Sequence, residues 1–142
     1  FYFSPNPGEA VKSLAKIASG GELSRLMLAI KSLVLTQGDI PTLLFDEVDA
    51  GIGGRAAEIV GKKLKKVAAS YQVLCVTHLP QIAALADSHY VVRKEVVKGR
   101  TFTEVNKLND KERVAEVARM LGGVKITEKA RRHAEEMVKG QG

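Results

Sequence analysis

Leu43-Leu44-Phe45 is an unbroken apolar run that stops abruptly at Asp46-Glu47. A strand with one face in water alternates apolar and polar side chains. An unbroken run marks a strand covered on both faces, as in a parallel sheet between layers of helices. Val73-Leu74-Cys75-Val76 repeats the pattern and ends in Thr77-His78. Helical periodicity lies before, between and after these runs. Strand and helix in alternation predict an α/β fold, a parallel sheet flanked by helices with right-handed crossovers. Ligands of such sheets sit beyond the strand C-terminal ends. Asp46, Glu47, Thr77 and His78 are therefore expected on one rim.

The helices follow from spacing. Leu23, Leu26, Met27, Ile30, Leu33 and Val34 predict the inner face of a helix running to about Gln37, broken by Gly38, Asp39 and Pro41. A second helix is expected from about Arg55 to Ala69, with Ala56, Ile59, Val60, Leu64 and Val67 inside. Pro80 suits the first turn of a short helix through Ala86. Tyr90 to Val97 and Thr101 to Lys107 are rich in β-branched residues and flank Gly99, which predicts a hairpin at the sheet edge. Asp110 is the expected cap of a helix carrying Val114, Val117, Ala118 and Leu121, stopped by Gly122-Gly123. Thr127 opens a last helix with Ala130, Ala134, Met137 and Val138. Phe1 to Phe3 is a short strand candidate ended by a Pro-Asn-Pro-Gly turn, and a polar linker follows. Residues 1–142 are expected to form a single domain.

Composition narrows the function classes. The 45% apolar and 27% charged fractions are those of a soluble globular protein. No apolar run approaches the roughly 18 to 20 residues that span a bilayer, so no membrane role is expected. The start lacks the segments of a signal peptide, and without an initial Met the chain reads as part of something longer. Cys75 stands alone, which suits a reducing cytoplasm and a small apolar filler in a buried strand. A net charge of +6 suits polyanion partners. Lys62, Lys63, Lys65, Lys66 and the run 129–132 supply much of it, and they equally suit an exposed helix face. Few aromatics and no Trp count against a base-stacking platform.

Three segments can carry chemistry. Ser19-Gly20-Gly21-Glu22 opens a helix, where free N–H groups and the positive dipole end attract anions. Physics alone leaves this open between an anion site and a plain flexible cap. Asp46 can hold Mg²⁺ directly or through water, and Glu47 can deprotonate a water beside it. The plainer reading is a solvated acidic loop. His78, at the next strand end, can donate to a phosphate oxygen. Cys75 and His78 form a Cys-x-x-His pair with no second pair, which argues against zinc. His89 and His133 have no companion ligands and are expected on the surface. Gly51-x-Gly53-x-x-Ala56 matches a dinucleotide fingerprint, but the adjacent acids would face the pyrophosphate. The ribose-binding acid expected about 20 residues on is also missing.

Taken in order, these segments resemble the ABC ATPase family, in detail its SMC-like DNA-repair branch, over nearly the whole chain. Residues 18–25, Ala-Ser-Gly-Gly-Glu-Leu-Ser-Arg, resemble the signature motif, with Glu22 where transporters usually have Gln. Residues 42–47 resemble Walker B with its catalytic glutamate, 48–54 the D-loop, and 76–81 the switch-histidine segment. Residues 118–123 also resemble that branch near its C-terminus. The resemblance implies the C-terminal lobe of an ATPase head, in a protein of DNA double-strand break repair and recombination. It implies that Ser19, Gly20 and Gly21 contact the γ-phosphate of ATP held by another subunit, with Glu22 in the same nucleotide-binding segment. Asp46 would serve Mg²⁺, Glu47 would be the general base, His78 would sense the γ-phosphate, and Asp49 would lie at the dimer contact. Arg25 matches the pattern but receives no role.

No Gly-x-x-x-x-Gly-Lys-Ser/Thr loop occurs, since Gly61-Lys62 continues with Lys63. In the family that loop lies near the N-terminus, beyond a long coiled coil. The implied partners are therefore an N-terminal Walker A lobe, a second head in an ATP-dependent homodimer, and DNA, in the cytoplasm at the nucleoid. A non-catalytic DNA- or protein-binding module is the alternative. So is a head lobe of another SMC-like ATPase or of a transporter, although Glu22 and Gly51 to Gly54 speak against the last.

Overall fold

The computed structural model describes residues 2–4, 8, 10–13, 19–33, 41–123 and 126–140. The chain gathers into two compact units, Phe1–Thr77 and His78–Gly142.

In the first unit β1 (Tyr2–Phe3) pairs antiparallel with β2 (Lys12–Ser13), a strand within the stretch that the sequence presents as a polar linker. Next come α1 (Gly20–Leu33), β3 (Thr42–Phe45), α2 (Gly54–Ala68) and β4 (Gln72–Cys75). β3 and β4 are parallel, in register from Thr42 opposite Gln72 to Phe45 opposite Cys75. The Val76 amide extends the ladder by donating to the Phe45 carbonyl at 3.0 Å. α1 begins earlier than its apolar spacing suggests because Ser19 caps it, its Oγ accepting from the Glu22 amide at 3.3 Å. The expected continuation to Gln37 lies outside the described residues. α1 packs on α2, and the Lys31 ammonium stands 5.7 Å from the Tyr71 ring centroid.

Three expectations about burial are not met here. α1 turns Gly21, Leu28 and Ser32 inward. Its apolar stripe lies in water instead, with Leu23 46%, Met27 43%, Ile30 37% and Leu33 82% exposed. The cause is polar: α1 directs Gly21, Ser24 and Arg25 at the turn after β3, and that fixes its rotation. The β3–β4 pair is likewise covered on one face only. Phe45 is buried, whereas Leu44 and Leu74, side by side in the register, are 67% and 51% exposed. α2 buries Ala57, Gly61, Leu64 and Val67, leaving the expected inner residues Ala56 and Ile59 exposed.

The second unit holds α3 (Pro80–Ala83), β5 (Tyr90–Val97), β6 (Arg100–Lys107), α4 (Asp110–Gly122) and α5 (Glu128–Lys139). β5 and β6 pair through a two-residue turn whose Lys98 and Gly99 both have positive φ, 51° and 76°. That twist suits a tight hairpin. Among the described residues the hairpin is a two-stranded sheet by itself and does not extend β3–β4. Asn109, one residue before the expected Asp110, caps α4. Its side chain accepts from the Glu112 amide at 3.0 Å while Glu112 accepts from the Asn109 amide at 2.8 Å. Of these two residues only Asn109 has Glu three positions on to close this reciprocal box. Thr127 caps α5 as expected, accepting from the Ala130 amide at 3.1 Å. Ala84, Val117, Ala118 and Ala134 form the core, closed by Val114, Leu121, Met137 and Val138. No helix among the described residues is long and apolar enough to cross a membrane.

Candidate functional site

β3 brings Asp46 and Glu47 to its C-terminal end, both exposed. The chain then reverses, the Ala50 amide donating to the Glu47 carbonyl at 3.0 Å, while Val48 is wholly buried beneath. Asp46 steadies the reversal by accepting from the Glu47 amide at 2.9 Å. Glu47 itself has φ 56°, in the left-handed region that a side chain disfavours. For a residue other than glycine this costs about 1–2 kcal/mol.

The start of α1 sits directly on this turn. A Cβ on Gly21 would lie 2.8 Å from Ala50 Cβ and 2.9 Å from the Glu47 carbonyl oxygen. A Cβ on Gly20 would meet the Glu47 carboxylate. Packing within the chain thus accounts for Gly21, whereas at Gly20 only the end of a flexible side chain stands in the way. Ser24 Oγ donates to the Asp46 carbonyl at 2.7 Å. Arg25 Nη1 donates to the Ala50 carbonyl at 2.8 Å and to the Val48 carbonyl at 3.3 Å. Both fall in the signature-like segment 18–25, but the local pattern gives them no partner, because their partners lie more than twenty positions away. The one hint is that Arg25 falls one helical turn after Gly21, on the face that the glycine leaves open.

Asp49, expected at a contact between subunits, is engaged inside the chain. It is 3% exposed and accepts from Thr77 Oγ1 at 2.6 Å. Burial pushes the neighbouring Cys75 thiol up to about 11, and Asp49 and Asp46 push it the same way. Cys75 is half-buried, a quiet thiol rather than a nucleophile.

The first unit therefore brings together Ser19, Gly20, Gly21, Glu22, Asp46, Glu47 and Asp49. His78 is exposed and is the first residue of the second unit, directly after Thr77. Among the described residues no group of three or more His, Cys, Asp or Glu side chains could cage a metal ion. Mg²⁺ does not require one, since it keeps several waters and takes one or two carboxylates plus phosphate oxygens. An exposed Asp46 at a strand end fits that demand.

Outside this cluster, His89 is half-buried rather than on the surface, its Nδ1 buried without a hydrogen-bond partner. Burial holds it below its ordinary 6.5. His133 is exposed as expected, as are Lys62, Lys63 and Lys66 on α2.

No family model matches the chain. It is 52% identical over 139 residues to the DNA repair protein RecN of Bacillus subtilis, covering 98% of this chain and 24% of that protein. Against the DNA repair protein RecN of Vibrio cholerae it is 49% identical, covering 97% and 25%. Against that of Deinococcus radiodurans it is 51% identical, covering 97% and 24%. The chain thus spans about a quarter of the length of these relatives. A solved structure from work on ATP-driven dimerization and DNA-stimulated activation of SMC ATPases matches with a TM-score of 0.53 and 21% identity. That match covers 83% of this chain and 70% of the other. The likeness shows the fold, which is the α/β class expected.

Proposed function

We propose, from the premise that this chain belongs to the RecN family and corresponds to its C-terminal ATPase-head portion, that it is half of an ATP-hydrolysing head in a DNA double-strand break repair protein. The observation that carries this reading is the seating of the glycine-led start of α1 on the turn that bears Asp46 and Glu47. It packs an anion-attracting helix end against a pair of exposed carboxylates, the two kinds of group that phosphoanhydride hydrolysis draws on, each facing a different nucleotide.

In the complete head Asp46 would hold Mg²⁺, which would offset charge on the phosphates. Glu47 takes a proton from a water whose own oxygen bonds to the γ-phosphorus, while the bond to the bridging oxygen breaks and ADP leaves. His78 donates a hydrogen bond to the γ-phosphate. Ser19, Gly20, Gly21 and Glu22 face ATP held by a second head, so nucleotide joins two copies and hydrolysis frees them. Asp49 lies in the D-loop segment between the two sites. Both compact units belong to one lobe.

The phosphate-cradling loop is supplied by an N-terminal lobe of the same protein. The outward stripe of α1 and the bare face at Leu44, Leu74 and Val76 support this, since parallel strands are ordinarily covered on both faces. Each Å² that such a lobe covers stabilises the union by about 25 cal/mol. The chain alone hydrolyses no ATP at a measurable rate. DNA is a partner of the whole protein, in the cytoplasm, and the exposed lysines of α2 suit phosphate contacts that weaken with salt.

The test is Glu47→Gln in the complete protein. Hydrolysis should fall by about a hundredfold or more, while sedimentation shows ATP-dependent dimers that persist. Unchanged turnover would remove Glu47 from this role.

A further inference from the structure

The turn that carries Glu47 needs holding. Its φ of 56° places a side-chain-bearing residue in left-handed backbone, a state that persists only where the surroundings over-determine it. α1 supplies what does so. On the N-terminal side of Glu47, Ser24 Oγ binds the Asp46 carbonyl at 2.7 Å. On the C-terminal side, Arg25 binds the Ala50 carbonyl at 2.8 Å and the Val48 carbonyl at 3.3 Å. Gly21 removes the side chain that would keep the helix off the turn. Arg25 is only partly exposed, and its always-charged guanidinium is spent on two neutral carbonyls.

We infer that Arg25, seconded by Ser24, is a positioning residue that fixes the backbone from which the Glu47 carboxylate projects by clamping it on both sides, and so makes the start of α1 and the turn that bears the general base one rigid piece. The inference rests on the ATPase reading above and deepens it. In that reading the start of α1 touches ATP in the partner head, while Glu47 serves ATP in its own. A clamp between them makes engagement at one nucleotide set the geometry at the other. Lysine replaces the guanidinium poorly, because a single ammonium on a flexible stem does not hold two carbonyls in a fixed orientation.

The experiment uses the complete protein with Arg25→Ala, Arg25→Lys, Ser24→Ala and Glu47→Gln. It reads kcat and KM for ATP, ATP-dependent dimerisation and melting temperature. Misplacing a general base lowers turnover without loosening ground-state binding. Arg25→Ala should therefore lose roughly ten- to hundredfold in kcat, with KM changed less than about twofold and dimers retained. Arg25→Lys should recover part of that loss, and Ser24→Ala should show a smaller fall of the same kind. A kcat within about twofold of wild type in Arg25→Ala, or a loss that follows KM and melting temperature together, overturns the inference. Should Arg25→Ala fail to fold, Ser24→Ala decides, and an unaltered kcat there overturns it equally. Glu47→Gln separates the two claims. If it leaves hydrolysis intact, the ATPase reading has failed; if it abolishes hydrolysis while Arg25→Ala does not reduce it, only the clamp has failed.

Discussion

Thr77 Oγ1 donates to the buried carboxylate of Asp49 at 2.6 Å, linking the segment after β4 to the turn after β3. Asp49 is 3% exposed, so water cannot take over a lost donor. Hydrogen bonds to buried charged groups contribute about 1.5–3 kcal/mol. Thr77→Val keeps the shape and deletes the donor, and it should lower the unfolding free energy of this chain by that order. Urea denaturation followed by circular dichroism measures it. A loss below about 0.5 kcal/mol would show that the bond contributes little.

The two glycines of α1 should respond differently to the same methyl group. At Gly21 the new Cβ meets Ala50 Cβ and the Glu47 carbonyl, which are parts of a fixed turn. Overpacking of this kind costs about 1–3 kcal/mol. At Gly20 it meets only the end of the Glu47 side chain, which can rotate away. There the helix-favouring gain of alanine, about 0.5–1 kcal/mol, offsets the disturbance. Gly21→Ala should melt well below Gly20→Ala, and equal melting temperatures would contradict the close approach.

Protonation of His89 should weaken the second unit. Burial lowers its affinity for a proton below the ordinary 6.5, outweighing the opposing pull of Glu116, and Arg113 adds a smaller push in the same direction as burial. The unfolded chain then binds the proton more tightly, so stability is complete above pH 6.5 and declines as pH drops through the lower folded value. The melting temperature should fall between pH 7.5 and pH 5.5, and His89→Gln should flatten that fall. An equal slope in the variant assigns the effect elsewhere.

Cys75 should resist alkylation until the chain unfolds. With the thiol pushed up to about 11, thiolate is scarce at pH 8. Release to an ordinary value raises its fraction roughly a hundredfold. Iodoacetamide labelling with and without urea, read by mass spectrometry, should show a rate difference of that order.

The acid-tipped strand, the Ser19 and Thr127 caps, the hairpin and the order of elements were legible because each has a local cause: a run, a capping side chain, a period, a turn glycine. Burial was less so. Periodicity locates the stripe of Leu23, Met27 and Ile30 but cannot tell which polypeptide covers it, and in this chain nothing described does. Asn109 displaced Asp110 because the box depends on Glu112, a relation between two residues rather than a property of one. Of the site, the carboxylates and the glycines were visible, whereas the grip of Ser24 and Arg25 was not. Contacts that join distant positions leave no periodic trace.

The leucines, methionine and isoleucine that α1 keeps in water have a practical corollary. A fragment ending in such a surface is a poor solo performer: at micromolar concentrations it should self-associate, and in a cell a truncated product of this kind would be a ready client for chaperones and proteases. Expressing this lobe beside the remainder of its chain, rather than by itself, is the route to well-behaved material.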